Sequence, residues 1–148
     1  MIVGFPGETD DDFRETLSLT AAVGYHSMFS FKYSPRPNTL AAQRMPDDVP
    51  EAEKTRRIVE LQALQKSIQA RLHEASVGRT VDVLVDTTSK RRAWELAGRT
   101  SGNTVVNFPG ESHWLGTVVP VTIERAGAFG VWGRPAASEA RHAEAATC

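Results

Sequence analysis

Arg79-Thr80-Val81-Asp82-Val83-Leu84-Val85 sets the character of the second half of the chain, because its valines fall at every other position. A period of two is that of a strand with one buried face. The same period returns over Glu95 to Thr100, Thr104 to Phe108, Thr117 to Arg125 and Ala128 to Gly133, with Ser101-Gly102-Asn103 as an intervening turn. Five short strands joined by turns within about 55 residues predict a small five-stranded antiparallel barrel of the OB-like size class.

Upstream of this segment the period is helical. Ile58, Leu61, Leu64, Ile68, Leu72 and Ala75 recur every three or four residues, with Arg56, Arg57, Glu60, Lys66, Arg71 and Glu74 between them. The pattern predicts one long helix that starts after Pro50 and is ended by Gly78. The stretch from Ser34 to Pro50 holds four of the eight prolines and is expected to be loop throughout.

The amino-terminal part reads as strand, helix, strand. Ile2-Val3-Gly4-Phe5 is a short apolar strand, and Thr9 with Asp12 three residues later has the capping-box spacing. Phe13, Leu17 and Ala21 then share a helical face, Gly24 supplies a stop, and Phe29, Phe31 and Tyr33 alternate as a second strand. The handedness of such a βαβ unit requires parallel strands. One unit leaves two apolar faces with too little chain to cover them, so residues 1 to 45 are expected to be a slice of a larger α/β sheet or barrel.

The 148 residues carry 17 Lys and Arg against 18 Asp and Glu, so bulk charge selects no partner class. The halves differ: residues 1 to 77 hold 9 basic and 11 acidic side chains, residues 78 to 135 hold 7 basic and 5 acidic. Cys148 is the one cysteine, which excludes an intramolecular disulfide and a cysteine-only metal cage. No apolar run reaches the roughly 20 residues of a membrane span, and the expectation is a soluble, cytoplasmic protein with no membrane partner. The four histidines have no i, i+4 pairing and no carboxylate at ligand spacing, so no catalytic or metal-binding residue is assigned.

Three clusters can carry binding chemistry. Lys90-Arg91-Arg92 with Trp94 and, further on, Arg99 combines phosphate-neutralising cations with an aromatic ring for an exposed base, which suits RNA. The alternative is a solvated loop with Trp94 folded back on the barrel. Gly4-Phe5-Pro6-Gly7-Glu8-Thr9 lies between a strand and a helix amino terminus, where backbone amides can face a ligand; the alternative is a tight turn that binds nothing. Arg36, between Pro35 and Pro37, is either a rigid clamp for phosphate or carboxylate, or a surface arginine in a stiff loop.

Taken together, Ile2-Val3-Gly4-Phe5-Pro6-Gly7-Glu8-Thr9, Phe31-Lys32-Tyr33-Ser34-Pro35-Arg36-Pro37 and Gly98-Arg99-Thr100 through Val105-Val106-Asn107-Phe108-Pro109-Gly110 resemble the tRNA methylthiotransferases, which are radical S-adenosylmethionine enzymes. The likeness runs from Met1 to about Arg134. It implies an α/β plus all-β chain: residues 1–77 as the carboxy-terminal part of a radical S-adenosylmethionine barrel with a linking helix, 78–135 as a TRAM RNA-binding barrel, and 136–148 as a disordered tail. It implies 2-methylthiolation of isopentenyladenosine next to the anticodon, with tRNA as partner and with S-adenosylmethionine and four-iron four-sulfur clusters as cofactors of the full-length family. Gly4 and Glu8 are then cofactor-proximal, Arg36 substrate-proximal, and Arg99, Asn107 and Phe108 part of the TRAM surface or core, counted with Lys90, Arg91, Arg92 and Trp94 as RNA-binding residues.

The departures are specific. Asn38 and Leu40 stand where the family usually has Gly and Pro, and Thr104 where a basic residue is common. The Cys-x-x-x-Cys-x-x-Cys motif that holds the cluster is absent, and one cysteine cannot replace three thiolates, so the chain alone is expected to hold no cluster and to be inactive. It is expected to be a fragment that still binds tRNA. Two alternatives stay open: a free-standing TRAM-type RNA-binding protein, and one subunit of a split enzyme completed by a separate cluster-bearing amino-terminal half.

Overall fold

The computed structural model describes residues 1–88 and 94–136. The chain divides into two compact units, Met1–Leu72 and His73–Cys148.

In the first unit, β1 (Ile2–Val3) pairs in parallel with β2 (Phe31–Lys32), as the crossover rule requires. Between them lies α1 (Asp10–Val23). Thr9 accepts the Asp12 amide through Oγ1 at 3.2 Å, and Asp12 Oδ2 accepts the Thr9 amide at 2.8 Å, which completes the capping box. Gly24, at φ 65°, closes the helix in the left-handed conformation and donates its N–H to Thr20 O. A small core of Val3, Phe13 and Leu61 forms, with Leu17, Met28 and Ile58 packed against it.

Two expectations need correction here. The proline-rich stretch is not all loop: Thr39 caps a short helix, α2 (Leu40–Arg44), with its Oγ1 on the Ala42 amide. The long helix α3 (Glu51–Glu74) ends before Gly78, through the bonds from the Ser76 amide to His73 O and the Val77 amide to Glu74 O. Its buried positions also differ from the apolar stripe. Lys54, Arg57 and Gln65 are buried with Leu61 and Ile68, whereas Leu72 is exposed. The buried cations are tolerated because each is paired, as described below.

The second unit is a closed barrel of five strands: β3 (Thr80–Thr88), β4 (Glu95–Arg99), β5 (Val105–Pro109), β6 (Val118–Ala126) and β7 (Val131–Pro135). Their order is β3-β4-β5-β7-β6. Four pairings are antiparallel, but β5 and β7 pair in parallel, so the barrel is mixed and not purely antiparallel. A single 3-10 turn, Ser112–Trp114, links β5 to β6. Val83, Val85, Leu96, Val106, Phe108, Val121, Ile123 and Val131 fill the interior.

Two hairpins of the barrel repeat one device. In β3 the register slips between Val85 and Thr87, and in β6 between Ile123 and Arg125. Each bulge inserts one residue and reverses which face the following residue takes. Opposite each bulge sits a glycine with no room for a side chain. A Cβ on Gly98 would lie 2.3 Å from Leu84 O, and one on Gly133 would lie 2.3 Å from Thr122 O.

Candidate functional site

The loop from β1 to α1 is tied down by carboxylates. Gly4 stands at φ 70° and donates its N–H to Glu8 Oε2 at 2.5 Å. The same oxygen accepts Nη1 of Arg57 at 2.7 Å, and Arg57 also reaches Glu8 O, Asp10 Oδ1 and Glu53 Oε1. The Arg57 and Glu8 side chains are only 5% and 10% exposed. Gly7 donates its N–H to Asp48 Oδ1 at 2.8 Å. A Cβ on Gly4 would lie 2.3 Å from Lys54 Cγ, so the bare glycine makes room for a buried lysine whose Nζ meets Asp47 Oδ1 at 2.5 Å. The Gly4 and Gly7 amides, which sequence reading offered to a ligand, therefore bond to side chains of this chain.

The charges around the loop reinforce one another. Hydrogen bonding from Arg56 holds the Glu53 carboxyl down at about 2; desolvation opposes it, and hydrogen bonding from Arg57 adds to the lowering. Burial weakens the Arg57 guanidinium, but its bonds to Glu8, Glu53 and Asp10 outweigh that and raise it. Asp12 is lowered by its bonds to Thr9.

Arg36 lies in an exposed turn, where its carbonyl accepts both the amide and the hydroxyl of Thr39. Asn38 takes φ 67° in that turn, the left-handed region usual for glycine, and asparagine is among the few residues that tolerate it. Leu40 is the first residue of α2, the helical position at which proline is also at home. Both departures therefore preserve the backbone shape that Gly and Pro would favour.

On the barrel, Lys90, Arg91 and Arg92 lie outside the described residues. Trp94 is 58% exposed just before β4, and Arg99 ends that strand. The two are thus separated by the length of β4, roughly 17 Å at the usual rise, and do not form one cluster. Arg99 is exposed and bonds to Asn103 Oδ1 at 2.9 Å, with Asp86 at 3.5 Å. Asn107 is partly exposed between the inward Val106 and Phe108. Phe108 needs correction as an RNA contact: at 1% exposure, paired with Leu96 in the core, it presents no face to a ligand. Sequence reading missed Arg125 and Trp132, which are cross-strand partners on β6 and β7. The Arg125 guanidinium carbon sits 4.6 Å from the Trp132 ring centroid, a cation–π contact. Hairpin symmetry about Ala128 and Phe129 was the available signal.

Residues 74–132 match the TRAM domain family, the segment that forms the barrel. Over 147 residues, 99% of its length, the chain is 45% identical to a tRNA-2-methylthio-N(6)-dimethylallyladenosine synthase of Halorhodospira halophila. Proteins of the same name from Hydrogenovibrio crunogenus and from Azobacteroides pseudotrichonymphae are 47% and 42% identical over 90% and 91% of the chain. Along nearly its whole length, this chain is similar to part of these tRNA methylthiotransferases.

That stretch is 28–31% of the length of these curated methylthiotransferases. An iron–sulfur cluster of the kind the family resemblance implies does not fit the donors this chain brings, because cluster ligation needs several thiolates and the chain has one cysteine. Among the described residues, no group of three or more His, Cys, Asp or Glu is placed to hold a metal ion. No described helix is long and apolar enough to cross a membrane.

Proposed function

We propose that this chain supplies the tRNA-gripping part of a tRNA methylthiotransferase acting in the cytoplasm on isopentenyladenosine next to the anticodon. The reading rests chiefly on the TRAM match over the closed barrel, whose sequence segment is net positive. In this reading residues 78–135 bind tRNA, residues 1–77 complete a radical S-adenosylmethionine barrel through the linking helix, and 136–148 is a tail. The cluster and S-adenosylmethionine are held mainly by protein that this chain does not supply. Gly4 and Glu8 act by fixing the shape of the loop beside the cofactor, and Arg36 lies toward the substrate. Ile2, Leu19, Val23 and Phe31, all more than half exposed on the β1–α1–β2 unit, support an apolar face that a cluster-bearing amino-terminal portion covers.

A filter-binding titration of the purified chain with tRNA tests the binding half of this reading. The expected result is weak association that falls steeply as salt rises, because phosphate neutralisation releases counterions. Binding with no salt dependence, or none at low salt, refutes it.

A further inference from the structure

The barrel carries a row of outward side chains of which only Asn107 was expected from the sequence to meet RNA. Thr87 pairs with Ala97, Ala97 with Asn107, Asn107 with Trp132, and Trp132 with Arg125. This single register line crosses all five strands, β3-β4-β5-β7-β6. All five residues are exposed or partly exposed. Both ends of the row exist because of the bulges. With unbroken alternation, residues 87 and 125 would follow Val83 and Val85, or Val121 and Ile123, into the core; the extra residue in each strand turns them outward instead.

The inserted residues are Asp86 and Glu124, and each faces another cation: Asp86 lies 3.5 Å from Arg99, and Glu124 binds Arg134 at 2.7 Å. No carboxylate lies on the row, and among the described residues none pairs with Arg125. Instead its guanidinium is held over Trp132. The Trp132 ring lies against Gly127, where a Cβ would come within 2.2 Å of Cζ3.

We propose that this row, centred on the Arg125–Trp132 pair, is the RNA-contacting face of the barrel and takes an unstacked base of a single-stranded loop, not a paired stem. The inference rests on the RNA-binding reading above. A guanidinium held over an indole can offer its outer side to a base and its charge to the adjoining phosphate, and Asn107 next to the ring offers a donor and an acceptor to a base edge. A paired stem hides its base faces and cannot use the stack.

The test uses the full chain and two RNAs, a hairpin with an open loop and the same stem fully paired, with Arg125→Gln, Trp132→Leu and Arg99→Gln variants. Arg125→Gln keeps a polar side chain at an exposed site and is expected to fold as the parent does. The row predicts that wild type prefers the open loop, and that Arg125→Gln and Trp132→Leu each lose about tenfold or more on the loop RNA and little on the paired stem. Arg99→Gln is expected to weaken both RNAs slightly and equally. If wild type binds and Arg125→Gln binds the loop as well as wild type, the row is overturned and the RNA-binding reading survives. If wild type binds neither RNA, both fall.

Discussion

Glu8→Ala isolates the buried ion network that shapes the β1–α1 loop. The change removes an oxygen that serves two donors, the Gly4 amide at 2.5 Å and Arg57 Nη1 at 2.7 Å. A hydrogen bond to a charged group contributes about 1.5–3 kcal/mol, and orphaning a buried charge costs about 3–5 kcal/mol. The higher figure does not apply, because Arg57 keeps Glu53 at 2.8 Å and Asp10 at 3.1 Å. The expected loss is therefore about 2–3 kcal/mol in the first unit. Arg57→Met removes the cation and its desolvation together, so the double variant should cost less than the two singles summed, by about 1 kcal/mol or more. Native-state hydrogen exchange on α1 and α3 peptides reads this locally, separate from the barrel. Loss of protection below about 0.5 kcal/mol in Glu8→Ala, or simple additivity in the double variant, would show that the network is incidental.

Gly98→Ala should lower the urea midpoint of the barrel by an amount corresponding to about 1–3 kcal/mol, because its Cβ meets Leu84 O at 2.3 Å, whereas Gly102→Ala, with its nearest neighbour at 3.8 Å, serves as control. Tryptophan fluorescence follows it, since Trp94, Trp114 and Trp132 all lie in the second unit, and equal midpoints would contradict the close approach. Glu53 is held below its ordinary 4.5, at about 2, so its contribution is fully present above 4.5 and is lost as pH falls through about 2. Helical circular dichroism should fall through this window in wild type and less steeply in Glu53→Gln; identical acid curves would remove Glu53 from the account.

Much of this fold is legible from spacing alone. Thr9, Asp12 and Gly24 mark both ends of α1, and the alternating valines mark β3, because caps and periods are local properties of the chain. The bulges at Asp86 and Glu124 are not legible in that way. One inserted residue changes the face of everything after it while leaving composition and hydrophobicity as they were. The burial of Arg57 and Lys54 is hidden for a related reason: a cation on a helix reads as solvent-facing unless its partners, Glu8 and Asp47, are known to arrive from elsewhere in the chain. The parallel β5–β7 seam likewise depends on how the barrel closes, which no single segment encodes. Asn38 and Leu40 show the reverse case, where a departure in residue type conceals a backbone shape that Gly and Pro would also favour.

A recognition surface gains from rigidity because ordering mobile side chains on binding costs free energy. Among the described arginines of the barrel, Arg125 on Trp132 meets that condition better than Arg99 or Arg134. Its ring rests on Gly127, whose carbonyl is engaged by Nδ1 of the buried His73 at 2.7 Å, at the carboxy-terminal end of α3. Gly127 also donates its N–H to Gly130 O, so the turn beneath the ring is held from two sides. His73, to which sequence reading gave no role, thus acts as a positioning residue for the hairpin. Arg99 sits differently, with its guanidinium bonded to Asn103 and near Asp86, and Arg134 is bonded to Glu124. An arginine that must leave a carboxylate to reach a phosphate gains less than one resting on an indole, which can keep its ring contact while it binds. In the proposed RNA contact, selectivity for an exposed base would follow from where the two bulges send their carboxylates, as much as from the aromatic ring itself.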